Sequence, residues 1–412
     1  YEMTSSLVGS EMCIRDRARL TEDGFQVLSE KEHWKLTPGG KYVVTRNHSA
    51  LIAFTIPEKE SWKFHIIASH SDSPSFKIKE NPEIVVEKTY VKLNVEKYGG
   101  MLMAPWFDRP LSIAGRVIVR KDGKLEEKLI DFDRNLVMIP NLAIHMNREA
   151  NSGVSYNPQK DMLPLFSMGG SDVSLQKLLS TQLDVEEKDI LSHDLFLYNR
   201  MEGSIWGAEN EFASSARLDD LQCAFASLKG FLGAQKQDCI AVHCVLDNEE
   251  VGSGTKQGAA STFLKDTLLR INSGLGRTYE EYLMTLADSF MISADNAHAI
   301  HPNYTDKADP VNHPLLNKGI VIKYNANQKY CTDAVSAAVF KDLCDRAGIP
   351  WQTFVNRSDI PGGSTLGNIS NTQVPMNTVD IGLPQLSMHS PYETAGVRDT
   401  EYFVKAAKEF FA

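Results

Sequence analysis

An α/β fold interrupted by a β-rich segment is what the sequence predicts, and three observations carry it. Three short apolar runs, residues 64–69, 239–246 and 290–293, read as buried strands, and each is followed closely by carboxylates or a histidine. Between and after them lie stretches with apolar residues at helical spacing. From about Phe76 to Gly207 the pattern changes to β-branched alternation.

The elements follow in chain order. Residues 64–69 lead into His70. Ile84-Val85-Val86 and Tyr90-Val91-Lys92-Leu93-Asn94-Val95 have strand character, and a strand over 116–120 runs into Lys121-Asp122-Gly123-Lys124. Asp-Gly there marks a hairpin, because the tight turn needs positive φ. Leu218, Leu221, Phe225, Leu228 and Leu232 predict a helix. The run 239–246 is followed at once by Asp247-Asn248-Glu249-Glu250, and 290–293 by Ala294-Asp295-Asn296. Val335, Ala338, Val339 and Leu343 predict a helix that starts near Asp333 and stops before Gly348. Tyr402, Phe403, Ala406, Ala407 and Phe410 form a last apolar stripe behind Asp399 and Thr400. Ligand sites of open α/β sheets lie off the carboxyl ends of the strands, where the charged residues follow.

At about 150 residues per domain, 412 residues predict two to three domains. The reading is a discontinuous catalytic domain, 18–75 with 208–412, interrupted by a β-rich unit over 76–207. Residues 1–17 show no clear periodicity and are expected to be a tag, vector remnant or misread start outside the fold. With 43 Lys+Arg against 53 Asp+Glu, the net charge is −10. That disfavours nucleic acid and anionic membrane as partners, since both need a basic footprint. No run approaches the roughly 18 apolar residues of a membrane span. Six cysteines without a Cys-x-x-Cys pair argue against a thiolate zinc site and fit reduced thiols in a cytoplasmic protein.

Five strings can carry chemistry. In Ser69-His70-Ser71-Asp72-Ser73-Pro74 a strand end presents His70, and Asp72 is close enough to orient its ring. In Arg217-Leu218-Asp219-Asp220-Leu221 the paired carboxylates either complement a helix dipole or bridge two metals, and spacing does not say which one bridges. Glu249-Glu250 directly after a buried strand calls for a cation, because like charges held together disfavour ionisation. One can ligate a metal while the other takes a proton from water. Ser293-Ala294-Asp295-Asn296-Ala297-His298-Ala299-Ile300-His301 again places a carboxylate at a strand end. Leu386-Ser387-Met388-His389-Ser390 supplies a histidine before the last helix. Taken singly, such histidines are more often structural. Together, His70, one of Asp219/Asp220, Glu249/Glu250, Asp295 and His389 form a nitrogen and oxygen set suited to a co-catalytic zinc pair, with cobalt or manganese as substitutes.

These strings occur in the same order in the aspartyl aminopeptidase family, which the chain resembles from about Ala18 to Ala412. The resemblance implies a zinc-exopeptidase-like catalytic domain with a central mixed sheet flanked by helices, plus an inserted β-rich dimerisation domain. It implies two Zn2+ held by His70, Asp219 as the bridge, Glu250, Asp295 and His389. It implies Glu249 as general base, with Asp72 supporting His70. Lys323, in Ile322-Lys323-Tyr324-Asn325, would approach an acidic substrate side chain, with Tyr330 and His298 nearby. Gly363, in Gly362-Gly363-Ser364-Thr365, would lie near the substrate, and His145 would reach a neighbouring subunit's site. The implied activity is removal of N-terminal Asp or Glu from peptides by a homo-oligomer built from dimers, up to a tetrahedral dodecamer. The family's usual first helix, with its Ser-Pro-x-Pro-x-His-like stretch, has no counterpart in residues 1–17. The rival readings are a broad-specificity dinuclear metallohydrolase (neutral aminopeptidase, carboxypeptidase or deacylase) and a non-catalytic scaffold.

Overall fold

The computed structural model describes residues 9–59, 61–169, 173–235 and 238–412. These fall into two compact units. The larger holds 12–72, 204–388 and 393–412, and the smaller holds 73–203 and 389–392 with residues 9–11. The sequence reading placed the breaks three to four residues later, and it did not anticipate that 389–392 belongs with the smaller unit.

The chain opens with α1 (Gly9–Glu22), then β1 (Gln26–Leu28), β2 (Lys41–Arg46), β3 (Ala50–Thr55) and β4 (Phe64–His70). The expected boundary at Ala18 therefore falls inside a helix. Cys13 and Leu20 are buried in the core, and the Cys13 thiol donates to the Ser49 carbonyl. Arg15, Arg17 and Arg19 break up the apolar stripe, which is why periodicity did not reveal it. Residues 1–8 of the expected leader lie outside the described residues.

The smaller unit is built on β5 (Ser75–Val86), β6 (Tyr90–Tyr98), β7 (Leu111–Lys121), β8 (Lys124–Asp131), β9 (Leu165–Met168) and β10 (Ile190–Asn199), with α2 (Pro158–Asp161) and α3 (Leu175–Leu183). The strands form one antiparallel sheet in the order β8-β7-β10-β5-β6-β9. Its β7–β8 hairpin turns at Asp122 (φ 50°) and Gly123 (φ 74°), the positive-φ pair that Asp-Gly was read to supply. Phe76, Leu93, Ile113, Val117 and Leu195 make its own core.

Back in the larger unit come β11 (Ser204–Trp206), β12 (Phe212–Ser215), α4 (Leu218–Gly233), β13 (Ile240–Leu246), α5 (Phe263–Gly274), α6 (Tyr279–Ala287), β14 (Phe290–Ala294), β15 (Ala297–His298) and β16 (Ile320–Tyr324). Then follow α7 (Ala334–Ala347), β17 (Trp351–Val355), α8 (Leu366–Ser370), β18 (Asn377–Gly382), β19 (Pro384–Leu386), β20 (Glu393–Gly396) and α9 (Asp399–Phe411). Asp333 caps α7 and Gly348 ends it in the left-handed region, as read.

Nine strands form the central sheet in the order β1-β2-β3-β13-β4-β14-β18-β16-β17. It is mixed: β13, β4, β14 and β18 run parallel, while β3 runs against β13 and β16 against β18. The three apolar runs singled out in the sequence are the adjacent parallel strands β13, β4 and β14. Their carboxyl ends therefore lie side by side. Residues of α4, α7 and α9 cover one face of this sheet, and those of α5, α6 and α8 cover the other. A smaller sheet, β11-β12-β20-β19-β15, completes the unit.

Gly230 on α4 faces Ala407 on α9, and a Cβ at Gly230 would lie 2.3 Å from that of Ala407. The better helix propensity of alanine, worth about 1 kcal/mol, does not offset such an overlap. Gly230→Ala should destabilise the protein by about 1–3 kcal/mol, read as a lower urea midpoint. An unchanged midpoint would mean that α4 and α9 can separate without cost.

Candidate metal centre

The parallel register brings His70, at the end of β4, beside Leu246, at the end of β13. From Leu246 the chain turns through Asp247 and Asn248 (φ 60°) into Glu249 and Glu250. Asp295 follows β14 directly, and Asp219 and Asp220 open α4 through a cis peptide bond. Ligand atoms of His70, Asp219, Asp220 and Asp295 lie within 4.8 Å of one another, as do those of His70, Glu249 and Glu250.

His70 is 1 % exposed. Its Nε2 lies 3.4 Å from Asp219 Oδ1 and 3.8 Å from Asp295 Oδ1. Its Nδ1 lies 3.0 Å from the Asp72 carbonyl oxygen and 3.4 Å from Asp72 Oδ1. Asp72 thus supports His70 through its backbone more closely than through its carboxylate. The carboxylate has another task, which the sequence did not reveal. Its two oxygens accept the backbone N–H groups of Glu249 and Glu250 at 3.0 and 3.1 Å. One residue therefore sets both the imidazole and the turn that carries both glutamates.

Asp220 Oδ2 accepts the His70 backbone N–H at 3.1 Å, and Glu393 Oε2 accepts that of Asp219 at 3.0 Å. Neither role has a sequence signal beyond the Asp-Asp doublet, because the partners lie 150 and 174 residues away.

The electrostatics follow from packing carboxylates together away from water. Burial pushes the Glu249 carboxyl up to about 7, helped by Asp295, Asp72 and Asp219 and opposed by His70. Burial and then Asp219 raise Glu250 well above the carboxylate range, and burial does the same to Asp220. Burial disfavours a charged His70, but hydrogen bonds to Asp219, Asp295 and Asp72 outweigh it and hold the ring well above its ordinary value. Five carboxylates around one imidazole, with no thiolate among them, make a donor set that fits zinc.

Lys323, 3 % exposed, is the buried ammonium beside this cluster. Its Nζ donates to the Asn296 carbonyl at 3.2 Å, lies 3.7 Å from Asp295 Oδ2 and stands 5.4 Å from the centroid of the Tyr330 ring. Burial works against its charge, but Asp295 and the other acidic groups nearby raise its pKa. Tyr330 packs near Phe354, whose ring is also 6.0 Å from that of the exposed His298. In the glycine segment the close approach is at Gly362, where a Cβ would lie 2.6 Å from Asn356 Oδ1. Gly363 is exposed with open space around it. His145 and His389 belong to the smaller unit, where His145 is exposed and His389 Nδ1 bonds to the Gly100 carbonyl. His389 has φ 66°, a strained backbone for a residue other than glycine.

Comparison with known proteins gives one consistent result. Residues 8–411 match the family described as aminopeptidase I zinc metalloprotease (M18). The chain is 48% identical over 400 residues to "Probable M18 family aminopeptidase 2" of Clostridium acetobutylicum, spanning 95% of this chain and 92% of that protein. It is 41% identical over 401 residues to the protein of the same name from Pseudomonas putida, spanning 95% and 92%. Among solved structures it resembles one from a cryo-EM study of the Ape4 and Nbr1 complex, with TM-score 0.96, 37% identity and coverage of 99% and 83%. It also resembles the S. cerevisiae mApe1 dodecamer, with TM-score 0.85, 27% identity and coverage of 98% and 93%.

Because Asp72 sets both halves of the ligand group, Asp72→Ala should lower zinc affinity about 10–100-fold, as loss of residues that orient metal ligands does. Competition with a chromophoric chelator measures this. Wild-type affinity in a folded Asp72→Ala protein would show that the ligands hold themselves in place.

Proposed function

The chain belongs to the M18 family of zinc metallo-aminopeptidases, and on that footing we propose that it removes aspartate and glutamate from the N-termini of peptides at a two-zinc centre. The observation that carries this reading is the buried Lys323 ammonium standing 3.7 Å from Asp295 at the edge of the carboxylate cluster. His70 and Asp295 would hold one zinc, Glu250 and His389 the other, and Asp219 would bridge them. The hydrogen bond of His389 Nδ1 to Gly100 leaves the coordinating role to its Nε2. Zinc held there supplies Lewis acidity toward a peptide carbonyl and acidifies water.

Glu249 is the general base. Set beside His70 and the carboxylate cluster, it takes a proton from water and returns it to the departing amine nitrogen. Its backbone is held by Asp72, so its carboxylate is aimed without help from a metal. Lys323 receives the substrate's acidic side chain through a charge-assisted hydrogen bond. Tyr330 walls that pocket, and His298 and the segment around Gly363 line the approach. His145 completes the site of a neighbouring subunit in a homo-oligomer assembled from dimers through the β-rich unit, extending to a dodecamer as in the mApe1 structure. Six free thiols, five of them buried, support a reducing, cytoplasmic setting.

Glu249→Gln should keep its zinc, measured by metal analysis, while kcat falls about 10²–10⁴-fold. Near-wild-type turnover would remove Glu249 from the role of base. Lys323→Ala should cut the preference for aspartyl over leucyl amides about 10–100-fold, the worth of one hydrogen bond to a charged group. If the ratio of kcat/KM values for the two substrates stays put, selectivity resides elsewhere.

A further inference from the structure

Asp380 is a fully buried carboxylate that the catalytic reading does not use. It sits on β18, next to the antiparallel strand β16. The register pairs Val321 with Gly382 and Ile322 with Ile381. One further step sets Lys323 opposite Asp380, and directly opposed residues of an antiparallel pair share a face. Asp380 is also among the acidic groups that help to keep Lys323 protonated, after Asp295.

The hydrogen bonds of Asp380 run to two separate loops. Its Oδ2 accepts the Cys331 backbone N–H at 2.6 Å and the Cys331 thiol at 2.9 Å. Its Oδ1 accepts the Thr365 hydroxyl at 2.9 Å. Its backbone N–H donates to Thr332 Oγ1 at 2.8 Å. Cys331 and Thr332 end the loop that follows Lys323 and carries Tyr330, while Thr365 ends the segment that begins at Gly362. Gly367 closes the arrangement from below, since a Cβ there would lie 2.6 Å from Asp380 Oδ1 and 2.7 Å from Ser293 Oγ. The carboxylate therefore has little room to move, and both loops are pinned to it.

We propose that Asp380 is a positioning residue for substrate selection, holding the Tyr330 loop and the glycine segment in fixed register around Lys323. This rests on the reading of Lys323 as the group that receives the acidic side chain. A buried carboxylate that accepts three hydrogen bonds is a stiffer tether than loop packing alone, because each lost donor leaves the buried group less well satisfied. Such a tether acts on binding of the acidic side chain and not on the proton transfer at Glu249. Its loss should show in KM for acidic substrates and spare kcat.

The experiment uses the zinc-loaded full-length enzyme with an aspartyl and a leucyl amide. Thr365→Val removes one arm, the bond to the glycine segment, and Cys331→Ala weakens the other, removing the thiol's bond while the Cys331 backbone N–H bond stays; both leave the carboxylate in place. Each should raise KM for the aspartyl amide about tenfold, hold KM for the leucyl amide within about twofold and leave kcat for both within about threefold. Cys331→Ser keeps a donor to Asp380 Oδ2 and should restore wild-type KM. Asp380→Asn should show the combined loss. Equal losses on both substrates, a fall in kcat at constant KM, or wild-type kinetics in folded Thr365→Val and Cys331→Ala proteins would overturn the role. Lys323→Ala separates the two readings. If it abolishes acid preference while the arm variants do not, Asp380 alone is wrongly assigned. If it leaves acid preference intact, the reading of Lys323 fails and this one with it.

Discussion

Crowding of carboxylates at the carboxyl edge of the central sheet is the constraint on which the larger unit depends. Asp219, Asp220, Glu249, Glu250 and Asp295 gather around His70 with ligand atoms only a few ångströms apart. Two unit charges 4 Å apart repel by about 4 kcal/mol at the effective dielectric of a protein near its surface. Protonation relieves part of this, which is why burial drives Glu249 and Glu250 upward. A divalent cation relieves it more completely. The cluster is thus costly as a structural feature and makes sense as a metal site, in keeping with the zinc metalloprotease family to which the chain belongs.

Holding such a cluster requires a rigid frame, and the backbone provides it. Adjacent parallel strands deliver His70, the Glu249-Glu250 turn and Asp295 to one edge without long loops. The charges are then locked by main-chain contacts: Asp72 to Glu249 and Glu250, Asp220 to His70, and Glu393 to Asp219. Three carboxylates thereby serve as acceptors of backbone N–H groups, which offsets part of the cost of burying them. Asp72, Asp220 and Glu393 are accordingly as much a part of the cluster's construction as the candidate ligands whose backbones they hold.

Much of this was legible in the sequence, for a definable reason. A fully buried parallel strand must be apolar, so a run such as residues 240–246 announces itself, and charged residues directly after it stand out. His70, Glu249, Glu250 and Asp295 stand out in the sequence that way. The choice of Asp219 over Asp220 came only from the family resemblance, since neighbouring carboxylates look alike along a chain. What stayed hidden depends on sheet order. Asp380 meets Cys331 and Thr365 because β18 lies between β14 and β16, and no local pattern encodes that. The same holds for Asp72, which reaches Glu249 only because β13 inserts between β3 and β4. In the glycine segment the resemblance singled out Gly363, while the close approach, to Asn356, is at Gly362.

On the proposed reading a protein of net charge −10 would select acidic residues, which poses a physical question about range. Surface charges are screened over about 8 Å at physiological ionic strength, so the overall field slows encounter only weakly and does not decide selectivity. Selection would then have to occur at contact, at a Lys323 that is almost sealed from solvent. There the ammonium already has the Asn296 carbonyl and Asp295 as neighbours, so a neutral substrate side chain does not leave it orphaned. The usual source of strong discrimination, an unpaired buried charge in the wrong complex, is therefore weakened. On this reading the acidic preference arises from attraction to the right side chain more than from rejection of the wrong one. The sharpness of that attraction then depends on how well the surrounding loops are held. On the same reading, that would give Asp380 a bearing on which substrate is chosen.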